Sequence, residues 1–203
     1  MLAALLGAGP VAEAFLVAFR LPNMFRRFFA EGAFNAAFVP MFSKRLQADD
    51  APQVFARDAF SGLAAVLIVF TILAQLCMPW LVLAMASGFQ ADARFGLAVD
   101  YGRIAFPYIL FISLAALLSG VLNALGRFAA AAAAPVLLNV VLVSATLFAQ
   151  ANGMDVAKAY IWAVPFGGVA QMALVWFAAR KAGIRIIPRM PRFSPEMEKL
   201  AII

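Results

Sequence analysis

The chain has 203 residues, of which 66% are hydrophobic and only 13% are charged. An ordinary soluble domain is roughly 45–50% apolar, so the composition indicates an integral membrane protein and excludes a soluble globular one. The net charge of +6 comes from basic residues that cluster mostly at the ends of apolar segments, a pattern that favours membrane lipids over nucleic acid as partners.

The first predicted element, residues 12–42, is an apolar segment with an unusual polar content. Its polar residues are Glu13, Arg20, Asn23, Arg26, Arg27 and Glu31. An arginine at the centre of a membrane helix costs about 2.5–3.5 kcal/mol on insertion scales. We therefore expect these side chains to face water, protein or a ligand, and an ionisable residue within a membrane helix is a candidate functional residue.

Most of these polar residues share one side of a helix. With about 100° per residue, one stripe roughly 80° wide contains Glu13, Arg20, Asn23, Arg27 and Glu31. Arg26 falls at the edge of this polar stripe, beyond Asn23. A simpler interpretation remains open, in which Arg27 and Glu31 neutralise each other at i, i+4 spacing or the arginines extend to the membrane surface.

A straight helix over residues 12–42 would be about 46 Å long, against a hydrocarbon core of about 30 Å. We therefore expect this segment to be bent, or broken near Glu31–Gly32. Pro22 lacks an N–H group and clashes with the carbonyl of Ala18, which predicts a kink close to the arginines. Such a kink would bring Arg26 into the stripe, and helix geometry alone does not decide between Arg26 and Arg27.

The rest of the chain alternates between apolar runs and polar connections. A polar loop at 43–58 is followed by four further predicted spans, at about residues 59–85, 104–124, 131–149 and 159–179. Residues 86–102 are mixed in character and predict a surface helix. The predicted transmembrane unit is residues 1–182, and the basic segment 183–203 is expected to lie on the cytoplasmic membrane surface.

The basic residues also predict the orientation of the spans. The loops at 43–58 and 125–130 and the segment from 180 onwards lie on one side and hold ten Lys and Arg residues. The opposite loops hold Arg94 and Lys158, with Arg103 at a boundary. Because cytoplasmic loops carry the excess of Lys and Arg, we expect the ten-charge side to be cytoplasmic.

The sequence has no histidine and a single cysteine, Cys77. The commonest general base and metal ligand is therefore absent, and we expect no catalytic residue, metal or cofactor. A membrane enzyme that acts on lipid phosphates is an alternative, but it would need a histidine or paired carboxylates within a span. The adjacent acids Asp49 and Asp50 lie in a polar loop.

The stretch LPNMFRRFFAEGAFNAAFVP, residues 21–40, together with Arg20, resembles the signature of the MurJ/MviN family of lipid II flippases. The matching residues are Arg20, Leu21, Pro22, Asn23, Arg26, Arg27, Ala30, Glu31, Gly32, Ala33, Phe34, Ala37, Phe38, Val39 and Pro40. A second stretch, residues 106–139, agrees with the same family. The resemblance covers nearly the whole chain.

The resemblance implies an all-α, polytopic helical bundle that forms about one lobe of a two-lobed transporter. Family members belong to the multidrug/oligosaccharidyl-lipid/polysaccharide exporter superfamily and enclose a cationic cavity that opens alternately to each side of the bacterial inner membrane. The substrate is lipid II, the peptidoglycan precursor linked to undecaprenyl pyrophosphate. The flippase would be a transporter and not an enzyme.

Residue by residue, Arg26 matches an arginine that flipping requires, and Asn23 and Arg27 match residues that line the cavity. Arg20 belongs to the same motif, and Glu13 matches an acidic position where the family usually has aspartate. Their predicted role is substrate binding, since guanidinium groups bind diphosphates bidentately. Pro22 and Gly32 are the predicted hinge of the bent helix.

The resemblance also implies helices that these residues do not include. The family's first helix, with further arginines, and its second lobe have no counterpart in the sequence, so we expect an incomplete fragment that does not flip lipid II alone. Two alternatives within membrane proteins stay open. One is an exporter of another polyprenyl-linked saccharide or of drugs, and the other is a non-transporting membrane scaffold.

Overall fold

The computed structural model describes residues 9–29, 33–89 and 92–186, and within these ranges the chain forms helices and connecting turns without a β-strand. The α-helices in chain order are α1 (Pro10–Phe29), α2 (Ala33–Gln47), α3 (Pro52–Leu76), α4 (Met78–Met85), α5 (Ala93–Ala105), α6 (Tyr108–Ala124), α7 (Phe128–Ala151) and α8 (Val156–Lys181). A short 3-10 turn, Ser87–Phe89, follows α4. Only the first four residues of the predicted surface segment 183–203 fall within the described residues.

Four helical segments are long and apolar enough to cross a membrane, namely Pro52–Leu76, Ala93–Ala124, Phe128–Ala151 and Val156–Lys181. The predicted class, an all-α polytopic membrane protein, is confirmed. Helix α1 does not meet the same criterion, since it carries one glutamate and three arginines. Among the described helices, its most extensive contact is with α5, which lies in one of these four segments. The count of five spans stays a prediction.

The predicted bent segment 12–42 corresponds to α1 and α2, which lie on either side of residues 30–32. The predicted break at Glu31–Gly32 lies outside the described residues. Helix α1 continues through Pro22 without interruption, so Pro22 does not end the helix, and the predicted hinge there stays a prediction.

The predicted span 59–85 consists of two helices, α3 and α4, which meet at Cys77. Pro79 explains the break, because it has no N–H group to donate to the carbonyl of Gln75 and its ring crowds that oxygen. Helix α3 also begins earlier than predicted, at Pro52, a residue suited to the first turn because the N–H groups there have no helical partner.

The second half of the predicted surface helix at 86–102 is helical and begins α5. One side of α5 is buried through Ala98, Val99 and Tyr101, whereas Asp100 and Arg103 remain exposed. The mixed composition thus reflects a helix with one packed and one exposed face, and its position at the membrane surface stays a prediction.

Pro107 separates α5 from α6, and its missing N–H leaves the carbonyl of Arg103 without its usual helical donor. The side chain of Gln75 on α3 fills this place, with its Nε2 donating to the Arg103 oxygen at 2.7 Å. Within a bilayer an unpaired backbone group costs several kcal/mol. A single amide side chain therefore stabilises the broken helix and also joins α3 to α5.

The buried apolar residues form three clusters. The largest joins α2, α3, α6 and the end of α8, the second joins α1 and α5 to α7 and α8, and the third joins α1 to α3, α4 and α5. Large apolar side chains also cover outer faces, as on α7, where Val136, Val140, Val143 and Leu147 follow helical spacing and are exposed. Such a face suits contact with lipid or with another apolar helix.

Candidate functional site

Helix α1 carries most of the predicted site residues, and aromatic contacts hold it on two sides. Phe15 and Phe19 stack with ring centroids 5.8 Å apart, and Tyr160 of α8 lies edge-on to Phe15 at 5.2 Å. On the other side Phe25 contacts the rings of Phe70 and Phe106 at 5.0 and 5.8 Å. These contacts fix the rotation of α1 about its axis and therefore decide which of its side chains are free to meet a ligand.

Arg20 and Arg27 lie on the remaining face of α1, and both are exposed. Leu16 and Met24 are exposed beside them, at 57% and 43% of their full surface. The face is thus half cationic and half apolar, a combination that suits an amphiphilic anion or a neighbouring helix. The structure agrees with the sequence in placing Arg20 and Arg27 on one side of the helix.

Glu13, predicted to belong to the same stripe, is engaged elsewhere. Its Oε2 lies 2.5 Å from Nη1 of Arg94, at the start of α5. Arg94 also contacts Asp92 at 2.6 Å, and its guanidinium lies 4.7 Å from the centre of the Phe89 ring. Glu13 therefore neutralises Arg94, and the arginines of α1 keep their positive charge uncompensated by it.

Asp92 also caps α5, because its side chain accepts a hydrogen bond from the backbone N–H of Arg94. This bond, together with the Arg94 guanidinium, holds the pKa of the Asp92 carboxyl below its ordinary value of 3.8. A depressed pKa means that the stabilisation is present above the ordinary value and is lost as the pH falls through the lowered one. Asp92 is therefore an anion under all ordinary conditions.

Arg26 differs from Arg20 and Arg27 in its surroundings. It is half-buried, whereas the other two are exposed. On α6, Tyr108 donates to Oε1 of Gln171 at 3.3 Å, and Gln171 donates through Nε2 to the Ala134 carbonyl at 3.0 Å. These hydrogen bonds form a buried polar network between α6, α7 and α8.

Asn23 is half-buried, and its Nδ2 donates to the Phe19 carbonyl at 3.2 Å. One of its two amide hydrogens therefore serves its own helix, and its Oδ1 and second hydrogen carry any contact with a ligand. Pro22, one turn after Ala18, is buried inside α1. Glu31 and Gly32 lie outside the described residues, so neither the Arg27–Glu31 pair nor the Gly32 hinge can be placed.

We find no candidate metal site among the residues that the structure describes. No group of three or more His, Cys, Asp or Glu side chains there is placed to hold a metal ion. The carboxylates of Glu13 and Asp92 both contact Arg94, which would have to be displaced before a cation could bind.

Arg94, Gln75 and the Tyr108–Gln171 pair were not identified as important by the sequence. Glu13 and Arg94 are 81 positions apart, and no periodicity links residues on separate helices. A glutamine within an apolar run is a weak signal for a buried polar contact, and Gln75 and Gln171 both carry it. The partner of each glutamine follows only from the packing of the helices.

The fold and the charged helix together define a multi-pass α-helical membrane protein in which a cationic helix packs against the apolar ones. The sequence profile of the family "Lipid II flippase MurJ" matches residues 2–202. The chain belongs to the MurJ family of lipid II flippases.

Curated relatives agree with this assignment. The chain is 47% identical over 209 residues to a "Probable lipid II flippase MurJ" of Rhizobium meliloti, and the alignment covers 100% of this chain and 39% of the relative. It is 41% identical over 194 residues to the "Lipid II flippase MurJ" of Burkholderia cenocepacia, covering 94% of this chain and 37% of the relative. The chain thus spans less than half the length of the relatives it matches.

A solved structure supports the fold. "Lipid II flippase MurJ, inward closed conformation" superposes with a TM-score of 0.73 over 97% of this chain and 41% of that protein, at 22% sequence identity. At this identity the likeness concerns the fold alone.

Proposed function

We propose that this chain forms one lobe of a flippase that moves lipid II across the bacterial inner membrane during peptidoglycan synthesis. The observation that carries the proposal is a half-buried cation, Arg26, on a helix that lies against membrane spans in a chain of the MurJ family. Lipid II bears a diphosphate, and a guanidinium in a site of low dielectric binds such an anion strongly.

In this proposal Arg26 is the main diphosphate contact, and Arg20, Arg27 and Asn23 line the same cavity. Glu13 acts indirectly, because its pairing with Arg94 keeps a carboxylate away from the incoming anion. Pro22 and Gly32 provide the bending points as the cavity changes the side to which it opens. The protein is a transporter and carries out no covalent chemistry on the lipid.

Alternating access needs two halves that move about a shared central site. The exposed face of α1, with Arg20 and Arg27, would then meet an opposing lobe across the cavity. The curated relatives are long enough to hold such a lobe, since the chain matches 39% of the Rhizobium meliloti protein. The proposed function therefore belongs to this chain in combination with a second lobe.

The test is a chimera in which residues 1–203 replace the matching segment of the Rhizobium meliloti relative. It is expressed in cells depleted of their own flippase, and both growth and the exposure of lipid II on the outer face are measured. We expect growth and lipid II exposure close to those given by the unaltered relative. A chimera that reaches the membrane in normal amounts but supports neither would contradict the proposal.

A further inference from the structure

A cavity of about 230 Å³ lies at the carboxyl end of α8, far from the charged helix. Its walls are apolar and include Leu118 of α6, Trp176 of α8 and Ile184, and two arginines, Arg180 and Arg185, complete the lining. Leu118 stands ten positions beyond Tyr108 on α6, or about 15 Å along the helix. The cavity is therefore distinct from the hydrogen-bonded pair of Tyr108 and Gln171.

The segment that closes the cavity has a defined conformation. Gly183 has a φ of 93°, which lets the chain reverse, and the Ile184 N–H donates to the Ala179 carbonyl at 3.0 Å. Gln53 of α3 donates through Nε2 to the Gly183 carbonyl at 3.0 Å. Because Ile184 and Ile186 are both only 5% exposed, they anchor the chain on either side of Arg185.

The two arginines are available for an anion. Both are exposed, and within residues 9–29, 33–89 and 92–186 no carboxylate forms an ion pair with either of them. Trp176 beneath them is held edge-on to Phe60 with ring centroids 5.4 Å apart. The cavity is thus lined both by cationic side chains and by aromatic and aliphatic ones.

The position of the cavity indicates its ligand. Helix α8 can span a membrane from Val156 to Lys181, so its end lies at the boundary where phospholipid phosphates are found. A soluble anion would gain from the arginines but not from the apolar walls, whereas a phospholipid uses both. We propose that this cavity binds the headgroup of one anionic phospholipid, with its phosphate between Arg180 and Arg185 and its glycerol and upper acyl chains against Trp176 and Ile184.

Tryptophan fluorescence can test this site directly. The chain has three tryptophans, and Trp80 and Trp162 are 67% and 54% exposed, so Trp80→Phe with Trp162→Phe leaves Trp176 as the only reporter. This protein is reconstituted with increasing amounts of phosphatidylglycerol or phosphatidylcholine brominated on the acyl chains close to the glycerol. We expect half-quenching at a roughly tenfold lower mole fraction of the anionic lipid, given two basic contacts.

Two double variants separate a site from a general attraction to positive charge. Arg180→Gln with Arg185→Gln should abolish the preference for phosphatidylglycerol and leave quenching by phosphatidylcholine unchanged. Arg127→Gln with Lys181→Gln removes two positive charges from the same end of the bundle, outside the cavity lining, and should keep the preference.

Three results would overturn the proposal. The first is equal quenching by the two lipids in the parent protein. The second is an equal loss of preference in both double variants, which would indicate diffuse surface charge. The third is no quenching by either lipid, which would mean that other groups, such as the segment after Ile186, fill the cavity.

Discussion

The Glu13 carboxylate and the Arg94 guanidinium meet at 2.5 Å and tie the first turn of α1 to the first turn of α5. Glu13 is the only acidic residue of α1, which also carries Arg20, Arg26 and Arg27. Arg94 pairs with both Glu13 and Asp92, so its one positive charge is shared between two carboxylates. The ion pair of Glu13 is thus directed to α5 and not to the next turn of its own helix.

The first prediction tests this pair by exchange. Glu13 and Arg94 are 52% and 28% exposed, so Arg94→Gln or Glu13→Gln should lower stability only slightly, because solvent screens such a pair. The exchanged variant, Glu13→Arg with Arg94→Glu, is made in an Asp92→Asn background, which removes the second carboxylate beside Arg94, and should there recover part of the loss. The measurement is the midpoint of thermal unfolding in detergent, with Lys158→Gln as a control. A lack of recovery, with both single variants impaired, would contradict the pairing.

The second prediction concerns Gln75 and Pro107. Gln75→Leu removes the donor to the Arg103 carbonyl, and the loss of a typical hydrogen bond costs about 0.5–1.5 kcal/mol. Pro107→Ala restores an N–H that can serve the same oxygen, so the loss from Gln75→Leu should be smaller in that background. Unfolding free energies of the four proteins give the coupling directly. Strictly additive effects would show that the Arg103 oxygen does not depend on Gln75.

The sequence predicted the helices well where the apolar runs are long and contain no charged residue, as for α7 and α8. It misplaced the boundaries where prolines act, because it gave no measure of whether Pro22, Pro79 or Pro107 would end a helix. Pro22 is accommodated inside α1, whereas Pro79 and Pro107 lie at breaks. The difference depends on tertiary partners such as Gln75, which a sequence read along one helix does not contain.

The candidate site also depends on contacts between helices, which the sequence of a single helix does not predict. Helix geometry grouped Arg20 and Arg27 on one face, and the structure places both on an exposed face. It left the choice between Arg26 and Arg27 open, since the burial that distinguishes the two arginines depends on how α1 packs against other helices. The sequence likewise did not predict the pairing of Glu13 with Arg94, because this ion pair depends on how α1 and α5 align.

The third prediction compares two glycines. A Cβ at Gly168 would lie 2.8 Å from Cδ2 of Tyr108 and 3.2 Å from Cβ of Phe111, whereas a Cβ at Gly96 would meet nothing within 4 Å. Gly168→Ala should therefore lower stability by about 1–3 kcal/mol through overpacking. Gly96→Ala should raise it by up to about 1 kcal/mol, since alanine favours the helix. Equal unfolding midpoints for the two variants would contradict the close contact of α8 with α6.

The fourth prediction concerns orientation in the membrane. Lys44 lies in the last turn of α2 and should be cytoplasmic, whereas Lys158 in the first turn of α8 should be periplasmic. Both are exposed, so Lys44→Cys and Lys158→Cys in a Cys77→Ala background are accessible to a membrane-impermeant maleimide. In intact cells with a permeable outer membrane, position 158 should react and position 44 only after lysis. The reverse pattern would invert the topology.

The fifth prediction separates the two neighbouring arginines of α1. In the chimera with the Rhizobium meliloti relative, Arg26→Ala should abolish growth and lipid II exposure while the protein still reaches the membrane. Removal of a half-buried cation makes insertion easier, so a loss of function would reflect contact with the substrate. Arg26→Lys should retain little activity, because a point charge lacks the planar fork that binds a diphosphate.

Arg27→Ala is the matched control, because it removes the same charge from the adjacent position of the same helix. Arg27 is exposed, whereas Arg26 is half-buried, so Arg27→Ala should lower lipid II exposure less than Arg26→Ala does. If Arg27→Ala is lethal and Arg26→Ala harmless, the diphosphate meets the exposed face of α1, and the half-buried position of Arg26 serves packing alone.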